Sequence, residues 1–160
     1  MTVIATNPPL TATTLAARFA ALQAQREASW PAEQLAANLR QRRLLVAAET
    51  PANHPAPGTP IAPFTLQGAD GTALTSQSLL AKGPAVVLFF RFGGCPACNI
   101  ALPYYEETLW PRLRAAGIPL IATSAQIPVD TGIVLRNNLT FPVTADRDYA
   151  LARSLGITFF

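Results

Sequence analysis

The stretch Ala85-Val86-Val87-Leu88-Phe89-Phe90-Arg91-Phe92-Gly93-Gly94-Cys95-Pro96-Ala97-Cys98-Asn99 decides the reading of this chain. Its first six residues are a continuous apolar run, rich in β-branched and aromatic side chains and short enough for one strand. Two glycines break that run, and a helical pattern opens at Cys95. A Cys-x-x-Cys pair at the junction of a strand and a helix is suited to thiol–disulfide chemistry. A thiolate at a helix start meets unpaired N–H groups and the positive end of the helix dipole, which populate the reactive form. The second thiol lies one turn on and can close a disulfide with the first. Cys95, at the extreme start, is therefore the candidate nucleophile and Cys98 the resolving thiol. Pro96 suits the first helical position, where no N–H is needed. Arg91, four residues before Cys95, brings a positive charge to the same junction, although a solvated arginine at a strand end reads equally well.

Working outward, the 160-residue length fits one domain with a substantial core. Half the residues are apolar and 13% are charged, which excludes a disordered chain. The net charge of +3 includes no run of five like charges. The densest basic cluster, Arg40, Arg42 and Arg43, reads as a solvated helix face rather than a nucleic-acid footprint. No segment approaches the ~18 uninterrupted apolar residues of a membrane span. Met1 to Leu10 lacks a signal-peptide pattern. A cytoplasmic location is the expectation, and there a Cys pair is mainly reduced and cycles.

Three regions follow along the chain: a helical extension over 1–50, a proline-rich linker over 51–63, and an α/β domain over 64–160. In the extension, Thr14 to Ser29 forms one helix, and Trp30-Pro31 interrupts before a second whose Leu35, Leu39 and Val46 mark a buried side. Packing, or pairing of two copies into a homodimer, is the expected use of this hairpin. The linker holds the only histidine, His54, read as a solvated bystander. Beyond it, Phe64–Leu66 and Thr72–Leu74 flank a turn at Ala69-Asp70-Gly71. A short helix over Ser76–Lys82 follows, then a central strand over Val86–Phe90 and a single long helix from Cys95 to Gly117. Leu120–Ala122 forms a strand, Asp130–Leu139 a helix, Phe141–Thr144 a strand and Asp148–Leu155 a helix, and Ile157–Phe160 begins a further strand. Strands separated by helices imply parallel crossovers.

The segment from Leu80 through Asn99 resembles the peroxiredoxin-like branch of the alkyl hydroperoxide reductase/thiol-specific antioxidant (redoxin) family, within the thioredoxin-like superfamily. The Lys82-Gly83-Pro84 before the strand, Arg91 just after it and Cys95-Pro96-Ala97-Cys98-Asn99 at the helix start carry the likeness. It continues through Ala122–Gln126, Phe141–Asp146 and Ala150–Ile157. The resemblance implies a thioredoxin-like α/β sandwich with a mixed sheet, an active-site dithiol of Cys95 and Cys98 supported by Arg91 and Pro96, and no cofactor or metal. It implies a disulfide or hydroperoxide substrate and a thioredoxin- or glutathione-type reductant, with neither nucleic acid nor membrane as partner. Pro103, eight residues after Cys95, matches a helix proline common in thioredoxin-like proteins.

Two departures from the family pattern stand out. Peroxidases of the wider family carry a proline seven residues, and a threonine or serine three residues, before the reactive cysteine; here these positions are Leu88 and Phe92. The sequence also ends at Phe160, where similar chains run on into a β-hairpin and a closing helix, so the expected domain is C-terminally shortened, without the proline that usually faces the cysteine pair. Three functional readings follow. The leading one is a thiol–disulfide oxidoreductase. The second is a thiol peroxidase acting through Cys95. The third is a non-enzymatic module, a zinc clip across two copies included. Phe92 and Tyr104, beside the motif, read as core rather than as a substrate groove.

Overall fold

The computed structural model describes residues 13–49, 54–128 and 132–158. Two helices come first, α1 (Leu15–Ser29) and α2 (Ala32–Ala48). The Thr14 hydroxyl caps α1 by accepting from Ala17 N–H at 3.2 Å, and Pro31 is the N-cap of α2. The α/β part then runs β1 (Thr65–Gly68), β2 (Ala73–Thr75), α3 (Ser76–Leu79), β3 (Val86–Phe89), α4 (Cys98–Thr108), α5 (Trp110–Ala115), β4 (Leu120–Ser124), α6 (Ile133–Arg136), β5 (Val143–Ala145) and α7 (Ala150–Ser154).

The strands form one mixed sheet in the order β2-β1-β5-β4-β3. β3, β4 and β5 are parallel, with Val86 opposite Leu120 and Ala122 opposite Val143; β1 is antiparallel to both β2 and β5. The β1–β2 turn closes with Gly71 at φ +82°, a conformation a glycine adopts without strain. The Asp70 carboxylate accepts from Thr72 Oγ1 (2.6 Å) and Thr72 N–H (3.0 Å) across it.

Alternation along the strands builds two cores, one on each face. Leu120 and Ala122 join Leu102 of α4, Ile133 of α6, Leu139, Phe141 and Val143, with Val86, Leu88, Phe90, Trp110 and Leu113 packed at the margin. Ile121 faces the other way, onto Leu66, Leu79 and Leu151, with Val87 and Phe89 beside them. The unbroken apolar run of β3 is thus explained by helices covering both faces. Burying each such side chain contributes roughly 1.5–3 kcal/mol. α4 is tied to the segment before β5 by polar contacts as well. The Glu106 carboxylate accepts from Thr140 N–H (2.8 Å) and Oγ1 (2.6 Å), and Trp110 Nε1 donates to Thr140 Oγ1 (2.9 Å).

Several expectations are corrected. β3 is an edge strand among the described residues rather than a central one, and its residues are only half-buried. The helix expected from Cys95 to Gly117 begins at Cys98 and breaks at Leu109 into α4 and α5, because Pro111 has no N–H to donate to the Glu107 carbonyl. Pro96 accordingly lies in the turn before the regular helix. The helix over Ser76–Lys82 stops at Leu79, and α7 starts at Ala150, after Tyr149 takes a left-handed φ of 53°. Of the helix expected over Asp130–Leu139, residues 130–131 lie outside the described residues and the remainder is helical only over α6. Ile157 and Thr158 are not in a strand, and residues 159–160 lie outside the described set. No residue of α2 is buried: Leu35 is half-buried, Leu39 exposed and Val46 77% exposed. α2 thus has no buried side, although its Gln41 and Leu45 line a cavity with Phe89, Phe90 and Arg91, while α1 packs against α4. There Arg18 pairs with Glu107 on α4 at 3.1 Å and its guanidinium lies 5.1 Å from the Tyr104 ring centroid. No described helix is long and apolar enough to cross a membrane.

Candidate active site

The loop from Arg91 to Ala97 carries the chain from the end of β3 to the start of α4. Cys95 is buried and Cys98 half-buried, and both are free thiols. Their side chains are close enough to interact, and Cys95 is among the causes that shift the Cys98 thiol. The Cys95 carbonyl accepts from Asn99 N–H at 3.0 Å, as the first bond of a helix would, while the Ala97 carbonyl takes both Ile100 and Ala101 N–H and tightens the first turn. Cys95 thus stands just outside the regular helix, and Cys98 is its first residue.

Burial pushes the Cys98 thiol up from its ordinary value. The hydrogen bond to the Cys95 side chain adds to this, the Arg91 N–H (3.4 Å from Cys98 Sγ) draws it partly back, and Coulombic proximity to Cys95 raises it again.

The structure brings Arg91, Cys95 and Pro96 into this one loop, with Cys98 opening the helix directly after it. The Arg91 guanidinium lies over the Phe92 ring, 5.4 Å from its centroid, and its backbone N–H, rather than its charge, is what reaches a cysteine sulfur. Phe92 and Tyr104 are both half-buried, and neither stands free beside the dithiol. His54 lies apart, its Nε2 3.4 Å from Glu49 Oε1. Among the described residues no cluster of three or more His, Cys, Asp or Glu side chains is placed to hold a metal ion.

Residues 56–160 match the family model for Redoxin. The chain belongs to the Redoxin family. Among solved structures, this redoxin is similar to the peroxidoxin BcpB of Mycobacterium tuberculosis, with 20% identity and a TM-score of 0.56 over 62% of this chain and 64% of that one. It is similar to a Bacteroides thetaiotaomicron protein regarded as a protein disulfide isomerase, at 22% identity and a TM-score of 0.51, again over 62% and 64%. The thioredoxin domain of a thiol-disulfide oxidoreductase from Bacteroides vulgatus aligns at 16% identity and a TM-score of 0.54 over 65% of this chain and 76% of that one. At these identities the likeness establishes a shared thioredoxin-like fold. The redoxin spans 64% of the length of the first two neighbours. No curated protein sequence matches it.

Sequence reasoning overlooked three amides around the loop of this redoxin. Asn99 Nδ2 donates to the carbonyls of Gly93 (2.8 Å) and Cys95 (2.9 Å). Asn99 Oδ1 accepts from Asn137 Nδ2 at 2.8 Å, and Asn137 Nδ2 also donates to the Ile133 carbonyl at 2.9 Å. Gln126 Oε1 accepts from Gly93 N–H at 2.8 Å. A signal existed at Asn99: asparagine is a poor helix former that favours caps and turns, so its place directly after Cys98 asked for a hydrogen-bonding reason.

Proposed function

We propose that this redoxin is a thiol–disulfide oxidoreductase with Cys95 as nucleophile and Cys98 as resolving thiol. The observation that carries the reading is the placement of two neighbouring free thiols at the strand–helix junction, Cys95 just before the helix and Cys98 as its first residue. Cys95 thiolate attacks one sulfur of a substrate disulfide; a Cys95–substrate disulfide forms and the other substrate sulfur leaves as thiolate and takes a proton. Two of the three influences that raise the Cys98 thiol come from Cys95 itself. They vanish once the Cys95 sulfur is bound in the mixed disulfide. Cys98 is then released to ionise, attacks Cys95 Sγ, and expels the second substrate thiol as the Cys95–Cys98 disulfide closes. A thioredoxin- or glutathione-type dithiol or thiol pair, in a cytoplasmic setting, returns the pair to its reduced state.

Thiol peroxidase chemistry is the second reading, favoured by the fold shared with a peroxidoxin. In it Cys95 thiolate bonds to the terminal peroxide oxygen, the O–O bond breaks, an alcohol or water leaves, and Cys98 converts the sulfenic acid to the disulfide with loss of water. Against it, Leu88 is spent on the core and Phe92 offers no hydroxyl to polarise the O–O bond. The deciding experiment runs insulin reduction and hydrogen peroxide consumption side by side on wild type, Cys95→Ser and Cys98→Ser. Insulin reduction lost in both variants, with slow peroxide turnover, supports the oxidoreductase. Rapid Cys95-dependent peroxide consumption without insulin reduction replaces it with the peroxidase, and inactivity in both assays returns the chain to a non-enzymatic module.

A further inference from the structure

We propose that Asn99 is a positioning residue for the dithiol, fixing the backbone of Cys95 relative to Cys98 through a closed set of neutral amide hydrogen bonds. The inference rests on Cys95 and Cys98 being the working pair, and it adds a residue whose amide grips the loop backbone. An asparagine side chain has two N–H donors and one carbonyl acceptor, and at Asn99 all are engaged. Both donors go to the loop, on the Gly93 and Cys95 carbonyls at 2.8 and 2.9 Å. The acceptor takes the Asn137 amide at 2.8 Å, and the remaining donor of Asn137 is anchored on the Ile133 carbonyl at 2.9 Å. This chain of bonds permits one orientation of the Asn99 amide, because a flipped side chain would turn its oxygen onto two carbonyl oxygens.

The loop needs such a grip. Gly93 and Gly94 link β3 to α4 with backbones that pay the largest entropy cost on ordering. Gln126 fixes the Gly93 N–H and Asn99 fixes the Gly93 carbonyl, so both sides of that residue are held by side chains from different segments. Asn99 directly follows Cys98 and grips the carbonyl of Cys95 with both its backbone N–H (3.0 Å) and its amide (2.9 Å). One residue therefore couples the backbone positions of the two cysteines. A disulfide closes only within a narrow window of Cβ separation, about 3.5–4.5 Å. Holding the loop inside that window raises the effective concentration of one thiol at the other.

The test is the equilibrium constant of the Cys95–Cys98 disulfide in glutathione redox buffers, read by alkylation and mass shift on the full chain, with circular dichroism to confirm folding. Asn99→Ala is expected to lower that constant about tenfold, the scale of one or two net hydrogen bonds; this corresponds to a potential about 30 mV more oxidising. Asn99→Asp keeps the shape but replaces the donor with an acceptor facing two carbonyls, and is expected to fall at least as far. A folded Asn99→Ala with an unchanged constant, or an Asn99→Asp that matches wild type, overturns the proposal. Should Asn99→Ala fail to fold, Gln126→Ala at an exposed loop position removes only the partner of Gly93 N–H. A fall of about threefold is expected there, a fraction of one hydrogen bond's net worth, and no change overturns the proposal. Wild-type protein that closes no Cys95–Cys98 disulfide in any buffer sinks the dithiol reading and this inference together; closure in wild type with unaffected variants sinks the positioning role alone.

Discussion

The Cys98 thiol carries the clearest electrostatic signature at the scale of single residues. Burial is the first cause of its upward shift, and it acts whether or not Cys95 is present; the hydrogen bond and charge of Cys95 are removable. In Cys95→Ala, mass-resolved alkylation of Cys98 against pH should therefore show a midpoint below that of Cys98 in wild type. An unmoved midpoint would remove the hand-over from Cys95 to Cys98 described above. The same shift has a consequence for stability, with a definite sign. Because the folded-state value is raised, the folded protein keeps a proton that the unfolded chain has already released. The stability this contributes is complete below the ordinary thiol value and disappears as pH rises through the raised one. Wild type should lose stability over that alkaline window, and Cys98→Ala should lack this part of the loss in denaturant titrations at stepped pH.

Among the elements, α7 is the one whose existence depends most on one side chain. It spans only five residues, Ala150–Ser154, too few to be stable alone. The buried Asp146 carboxylate accepts from Leu151 N–H at 3.2 Å and Ala152 N–H at 2.9 Å, satisfying donors that a helix start leaves open. Asp146→Ala should cost about 1.5–3 kcal/mol, the range for hydrogen bonds to a charged group, measured by urea unfolding; a cost below about 0.5 kcal/mol, the level of ordinary surface substitutions, would show that packing of Leu151 alone holds the helix. Elements of this kind mark where the sequence was legible. The apolar run of β3, the Asp70-Gly71 turn and the strand at Leu120 announce themselves by local pattern, and so does the Cys pair. The place of β3 at the sheet edge does not, because a run covered on both faces reads alike at the centre and at the rim. Nor does the start of α4: Pro96 fits a first helical position, and only the doubled bond on the Ala97 carbonyl moves the regular helix to Cys98. The amides of Asn99, Gln126 and Asn137 come from three segments, so no window of sequence contains their meeting.

At the scale of the whole molecule, the helical hairpin meets the domain where α1 packs on α4 and where Gln41 and Leu45 of α2 line a cavity with Phe90 and Tyr149. Arg18 supplies an ion pair to Glu107 and a cation–π contact to Tyr104, both at the surface. Exposed pairs of this kind are worth at most about 1 kcal/mol. Arg18→Ala should leave the unfolding free energy within about 1 kcal/mol of wild type while raising amide hydrogen exchange in α1 and leaving β4 protected. Equal loss of protection in α1 and β4 would mean that hairpin and sheet unfold as one unit. Val46 and Leu44 on α2, 77% and 64% exposed, take no part in the sheet's cores.

The sheet register also sorts the pairings by their separation along the chain. β3, α4, α5 and β4 are consecutive, and the parallel pairing of Val86–Phe89 with Leu120–Thr123 encloses the cysteine loop within that one stretch. β1 can pair locally with β2, but it joins the sheet only through β5, where Gln67 pairs with Ala145 from the far end of the domain. Closing that long loop carries the larger entropy cost and delays the pairing. The strands that frame the dithiol are thus expected to pair before β1 joins the sheet through β5, so the cysteine pair is framed in a sheet that Leu66 has yet to cover.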